Sequence, residues 1–81
     1  IEETLRFEPS ALSCSRTAGY DLELAGVPIA EGSQLLLSIG AANRDPQRFP
    51  DPDRFDLARD AAGLVSFGGG RHFCLGAALA R

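Results

Sequence analysis

The chain has 81 residues, 44% of them hydrophobic, and a formal net charge of −3 at neutral pH. That length suits one small domain and not two. All eight basic residues are arginines, scattered without the basic stripe that nucleic acid requires, and no apolar run approaches the length of a membrane span.

IEETLRF, residues 1–7, reads as the end of a helix that Pro9 stops, because the residue before a proline avoids helical geometry. ALSCSRT (11–17) reads as a strand. YDLELAG (20–26) alternates, with Tyr20, Leu22 and Leu24 on one face and Asp21 and Glu23 on the other, which predicts a half-buried strand. Gly26 predicts a turn, VPIA a short strand, Glu31-Gly32 another turn, and SQLLLSIG a more fully buried strand. GAANR (40–44) predicts a short helix that Pro46 stops. Residues 44–60, RDPQRFPDPDRFDLARD, hold prolines at 46, 50 and 52, which exclude a regular helix or a central strand. Phe49 and Phe55 favour an ordered coil over disorder, which usually lacks aromatics. A glycine loop follows, and then CLGAALAR, whose alanines and leucines favour helix. Helical patterns at both ends predict a piece of a larger domain, with apolar faces that the rest would cover. Cys14 and Cys74 show no paired zinc spacing, and reduced thiols in a cytoplasmic protein are expected.

The densest chemistry lies in FGGGRHFCLG, residues 67–76. Gly68, Gly69 and Gly70 permit positive φ and let the backbone approach a flat or bulky ligand. A helix starting near Cys74 would leave free N–H groups beside the sulfur, and Arg71 and His72 add positive charge. Such surroundings favour a thiolate, either as a nucleophile or as a metal ligand. The glycines match neither phosphate-binding pattern, since Phe73 takes the last glycine position of G-x-G-x-x-G. A cysteine nucleophile with His72 as base lacks an orienting third residue. A structural cysteine after a tight turn carries nearly equal weight on this stretch alone.

FGGGRHFCLG closely resembles the haem-binding loop of the cytochrome P450 monooxygenases, most of all the soluble bacterial members. Phe67, Gly70, His72, Cys74 and Gly76 fall on that family's pattern without a gap. EETLR resembles the family's Glu-x-x-Arg pair, at Glu3 and Arg6. AANRDPQRFPDPDRFD resembles its meander, in which Arg54 would complete a Glu-Arg-Arg triad. SRTA places Arg16 where the family binds a haem propionate.

The resemblance spans residues 1–81 and implies an α+β fragment: the C-terminal part of a mainly α P450 domain, incomplete at both ends. It implies that Cys74, as thiolate, ligates the iron of haem b (iron protoporphyrin IX). Gly68 and Gly70 would lie flat against the porphyrin, Phe67 near the ring and the sulfur, and Gly76 in the same cofactor-binding loop. His72 and Arg16 would hold propionates through charge-assisted hydrogen bonds. Ala11 and Leu12 would line a substrate pocket, with Cys14 as a small core residue.

Glu3, Arg6 and Arg54 would form a buried structural triad whose disruption costs roughly 3–5 kcal/mol. A surface pair of Glu2 with Arg6 is the competing arrangement. Arg48, Asp51 and Arg59 would be a solvated face. The implied activity is insertion of one oxygen atom of dioxygen into a small organic substrate. Electrons from NAD(P)H would arrive through a ferredoxin- or flavodoxin-type partner, with no nucleic acid or membrane involved. The competing reading is a catalytically incomplete fragment or structural module that binds haem weakly; the 81 residues alone are expected to be inactive.

Overall fold

In the computed structural model, which describes residues 1–81, the first element is helix α1, Glu2–Phe7. Glu2 and Glu3 in its first turn and Arg6 in its last favour the helix dipole. Pro9 lies two residues beyond the helix. Strand β1, Ser13–Thr17, pairs antiparallel with β4, Gln34–Ser38, in a register that sets Ser13 against Ser38 and Thr17 against Gln34. Between them, β2 (Leu22–Leu24) and β3 (Val27–Ile29) form a hairpin. Its two-residue turn has Ala25 at φ 49° and Gly26 at φ 81°, the doubly positive geometry that matches strand twist. Helix α2, Ile39–Ala42, follows β4 directly, with the Ser38 hydroxyl accepting from the Ala41 N–H at 3.3 Å.

Residues 44–60 contain no helix or strand, yet they are ordered by turn hydrogen bonds: Phe49 N–H to Asp45 O at 2.8 Å, Arg54 N–H to Asp51 O and Arg59 N–H to Asp56 O, both at 3.0 Å. Of the two aromatics expected to pin this coil, Phe49 is fully buried. Phe55 stays 46% exposed and meets Phe7 edge-to-face at 5.6 Å. A 3₁₀ turn, Gly70–His72, and helix α3, Ala77–Ala80, complete the chain.

The strands lie where the hydrophobic pattern places them, but their burial differs from expectation. Tyr20, Leu24, Leu36 and Leu37 are exposed, Leu36 to 75%. The half-buried face of β2 and the buried β4 are thus corrected. Alternation identifies the apolar face, and nothing in these 81 residues lies over it. The slab is 16 Å thick, little more than one layer of structure, and its radius of gyration is 14.4 Å. A compact chain of this length would have about 12 Å. Accessible area is 5950 Å², against about 4,700 Å² for a compact monomer of this mass.

The largest fully buried side chains are Arg6, Phe49 and Asn43. The centre of this structure is therefore polar and charged, with only Phe49 as a large apolar member. Such a centre is tolerable only when every buried donor and acceptor is paired, and no buried side-chain nitrogen or oxygen is left without a partner.

Candidate functional site

Arg6 carries five N–H donors in a rigid fork, and all five find acceptors. Nε and one Nη2 hydrogen hold Glu3 bidentately at 2.7 and 2.8 Å. Nη1 donates to the carbonyls of Asn43 and Pro52, each at 2.9 Å, and Nη2 also reaches the Arg54 carbonyl at 3.3 Å. Glu3 is equally saturated: Oε1 accepts from the Asp56 N–H at 2.9 Å and from Arg59 Nε at 3.2 Å. Its pKa falls from an ordinary 4.5 to about 2. The Arg6 hydrogen bond is the main cause, burial opposes it, and the Asp56 amide and Arg59 add to it. The same hydrogen bond raises the Arg6 pKa.

The second arginine at Glu3 is therefore Arg59, and the expectation for Arg54 is corrected. The Arg54 side chain is 68% exposed and pairs with Asp56 at 2.6 Å, contributing only its backbone carbonyl to the knot. Arg59, expected on the solvated face, has a side chain only 9% exposed. Besides Glu3 it donates to the carbonyls of Pro50, Asp51 and Arg54. The cause is local: the turn at Asp56–Arg59 folds the chain back onto α1, whereas Arg54 sits on the outer side of the preceding turn. Glu2 pairs with Arg81 at 2.7 Å rather than with Arg6.

A second buried group, which the sequence did not mark, joins this knot to the glycine loop. Asn43, fully buried at the end of α2, accepts from the Val65 N–H at 2.8 Å and donates to the Ser66 hydroxyl at 2.8 Å. Ser66 in turn donates to the Leu5 carbonyl of α1 at 2.6 Å. The only sequence signal is an asparagine at the end of a four-residue helix, which reads equally well as an ordinary helix stop.

The loop itself opens at Phe67, whose carbonyl accepts from the Cys74 N–H at 2.9 Å and closes residues 67–74 into one unit. Gly68 and Gly70 have φ of 72° and 65°, whereas Gly69 is extended at φ −160°. Of the three glycines, two use their conformational freedom. Phe67 and Phe73 meet edge-on at 6.4 Å, and the Arg81 guanidinium lies 5.0 Å from the Phe67 ring centre. Cys74 is a free, exposed thiol. Helix α3 begins at Ala77 rather than at the cysteine, and the Leu75 and Gly76 N–H groups, which follow Cys74 in the chain, donate to no backbone carbonyl.

A cleft of about 310 Å³ brings Arg16 to the same place as Gly68 and Gly69, with Cys14, Leu37, Ile39 and Val65 as further walls. Its lining does not include His72, Cys74 or Phe67. Ala11 and the 65%-exposed Leu12 lie just before β1, outside that lining. Cys14 is half-buried.

No group of three or more His, Cys, Asp or Glu gathers anywhere in the chain. A metal caged by protein ligands alone does not suit this donor set. A planar macrocycle bringing its own metal does: it needs one thiolate, a backbone surface without side chains, and cations at its rim for acidic groups. An added Cβ at Gly69, Gly70 or Gly76 meets nothing within 4 Å in the chain, so these positions face open space.

The cytochrome P450 family model matches residues 1–81. The whole chain is 49% identical to cytochrome P450 CYP199A2 of Rhodopseudomonas palustris and 48% identical to 6-deoxyerythronolide B hydroxylase of Saccharopolyspora erythraea, spanning 20% of each. Among solved structures it resembles cytochrome P450 CYP109Q5 from Chondromyces apiculatus. The TM-score is 0.94 at 47% identity, over 98% of this chain and 20% of that one. The chain thus spans about a fifth of the length of the relatives it matches.

Proposed function

The chain belongs to the cytochrome P450 family, and from that premise we propose that residues 1–81 are the C-terminal part of a haem-thiolate monooxygenase domain, incomplete at both ends. The observation that carries this reading is the Cys74 loop: an exposed thiol on a closed loop whose glycines leave its face bare. When bound, haem b supplies the iron at which dioxygen is cleaved, and thiolate ligation pushes electron density toward that iron.

In this reading the Cys74 sulfur would be the protein's iron ligand, and the uncommitted N–H groups of Leu75 and Gly76 would be available to temper its charge. Gly68 and Gly70, both at positive φ, would let the loop lie against the macrocycle, and Gly76 would belong to the same cofactor-binding loop. Phe67, whose ring meets Phe73 edge-on, would lie near the macrocycle and the sulfur. Arg16 and His72 would donate to propionates. Ala11 and Leu12 face the substrate, a small organic molecule that receives one oxygen atom of dioxygen. Electrons from NAD(P)H arrive through a ferredoxin- or flavodoxin-type partner in the cytoplasm. No helix is long and apolar enough to cross a membrane. The Glu3–Arg6–Arg59 knot has no part in the chemistry and holds the coil that backs the loop.

Reading the carbon monoxide adduct of the reduced, haem-loaded full-length protein tests this proposal. The expected result is the red-shifted Soret band of thiolate ligation, absent in Cys74→Ala. An unshifted band in folded wild-type protein would overturn the assignment of Cys74. The competing view of an inert module predicts that the full-length protein takes up no stoichiometric haem.

A further inference from the structure

Asn43 and Ser66 share a hydrogen-bond relay whose direction is fixed by chemistry. The Leu5 carbonyl can only accept, so the Ser66 hydroxyl, 2.6 Å away, must give it its single hydrogen. That hydroxyl can then only accept from Asn43, which must present Nδ2 at 2.8 Å. Oδ1 is left to receive the Val65 N–H at 2.8 Å. One amide orientation satisfies all three bonds, and the reversed amide breaks two of them. The relay is anchored from behind by Arg6, which donates to the Asn43 carbonyl at 2.9 Å.

The consequence lies one residue further on. Phe67 follows Ser66 and accepts the Cys74 N–H, so the residues held by Asn43 form the fixed jaw of the cysteine loop. The other jaw, residues 75–81, is tied back through α3 and the exposed Arg81–Glu2 pair. We infer that Asn43 and Ser66 are positioning residues for the Cys74 sulfur, acting through the Val65–Phe67 backbone. This inference rests on the haem-thiolate reading above. It assigns a job to two uncharged residues that touch neither the thiol nor the cleft's arginine.

The relay predicts a specific pattern of tolerance. Ser66→Ala leaves Asn43 Nδ2 and the Leu5 carbonyl unpaired. Asn43→Asp keeps the acceptor for Val65 but sets two acceptors, the new carboxylate and Leu5 O, against one hydroxyl hydrogen. Ser66→Thr keeps the hydroxyl and the relay. Arg44→Ala is the control for general destabilisation: it removes the bond to the Phe7 carbonyl at 3.0 Å and the Asp53 pair at 3.1 Å without touching residues 65–74.

The experiment follows conversion of the haem-loaded full-length protein from the thiolate-ligated to the unligated carbon monoxide spectrum, below the melting range of every variant. Ser66→Ala and Asn43→Asp should convert on the order of tenfold faster than wild type. Ser66→Thr and Arg44→Ala should convert at the wild-type rate. Conversion of Ser66→Ala at the wild-type rate, with haem retained, would overturn the relay while leaving Cys74 as ligand. Equal acceleration in Arg44→Ala would also overturn it, by showing that any loss of stability has the same effect. If Asn43→Asp fails to fold, the Ser66→Ala and Ser66→Thr pair decides alone. A wild-type protein lacking the thiolate spectrum overturns the haem reading itself, and with it the relay.

Discussion

The knot around Glu3 and Arg6 and the loop around Cys74 lie in one small chain but obey opposite rules. In the knot every buried side-chain nitrogen and oxygen has a partner: Arg6 is fully buried, Glu3 takes four hydrogen bonds, and Arg59 laces three coil carbonyls to them. In the loop the functional groups are uncommitted: Cys74 is exposed and free, and the glycines leave the face bare. The lesson is a division of labour. Order in this chain is stored where charge is buried and paired, and reactivity is displayed where it is not. Asn43 and Ser66 are the mechanical link between the two.

The largest expected effect comes from breaking the knot. Glu3→Ala strands a buried guanidinium and should cost about 3–5 kcal/mol of unfolding free energy, read by thermal or denaturant unfolding of the haem-loaded full-length protein. A loss typical of a surface pair would mean that the knot is not buried in the assembled domain. The same carboxylate sets a pH dependence. Its folded pKa, about 2, lies below its ordinary 4.5. Its stabilisation is therefore complete above pH 4.5 and is lost as pH falls toward 2. Glu3→Gln should flatten the unfolding curve across that window, and an unchanged slope would contradict the assignment.

The next effect sharpens the choice of arginine within the meander. Arg59→Ala should cost about 1.5–3 kcal/mol, since it removes charge-assisted bonds from a buried carboxylate and several carbonyls. Arg54→Ala should cost under about 1 kcal/mol, as an exposed pair does. The reverse order in the unfolding midpoints would restore Arg54 to the triad. Smallest is the contrast inside the loop. Gly70→Ala forces a Cβ into left-handed backbone and should cost about 1–2 kcal/mol, whereas Gly69→Ala, on extended backbone, should stay within about 0.5 kcal/mol. Equal costs would mean that the loop changes shape when the macrocycle binds.

Much of this was legible in the sequence, for identifiable reasons. Periodicity and proline placement located α1, the four strands and the ordered coil, because those signals are local. The cysteine loop stood out because its glycines and cysteine are closely spaced. Arg59 was misread because two arginines in one coil look alike until a turn, here at Asp56–Arg59, decides which folds inward. Asn43 was missed because a buried amide and a surface helix stop share one letter, and only burial tells them apart. The exposure of β2 and β4 was misjudged because alternation says which face is apolar and nothing about what covers it.

The central claim is that Cys74 sulfur binds iron on a loop held from the knot. X-ray absorption at the iron edge of the haem-loaded full-length protein tests it most directly. The account predicts one sulfur neighbour in the iron's first shell in wild type, replaced by nitrogen or oxygen in Cys74→Ala. A first shell without sulfur in the wild-type protein would contradict it.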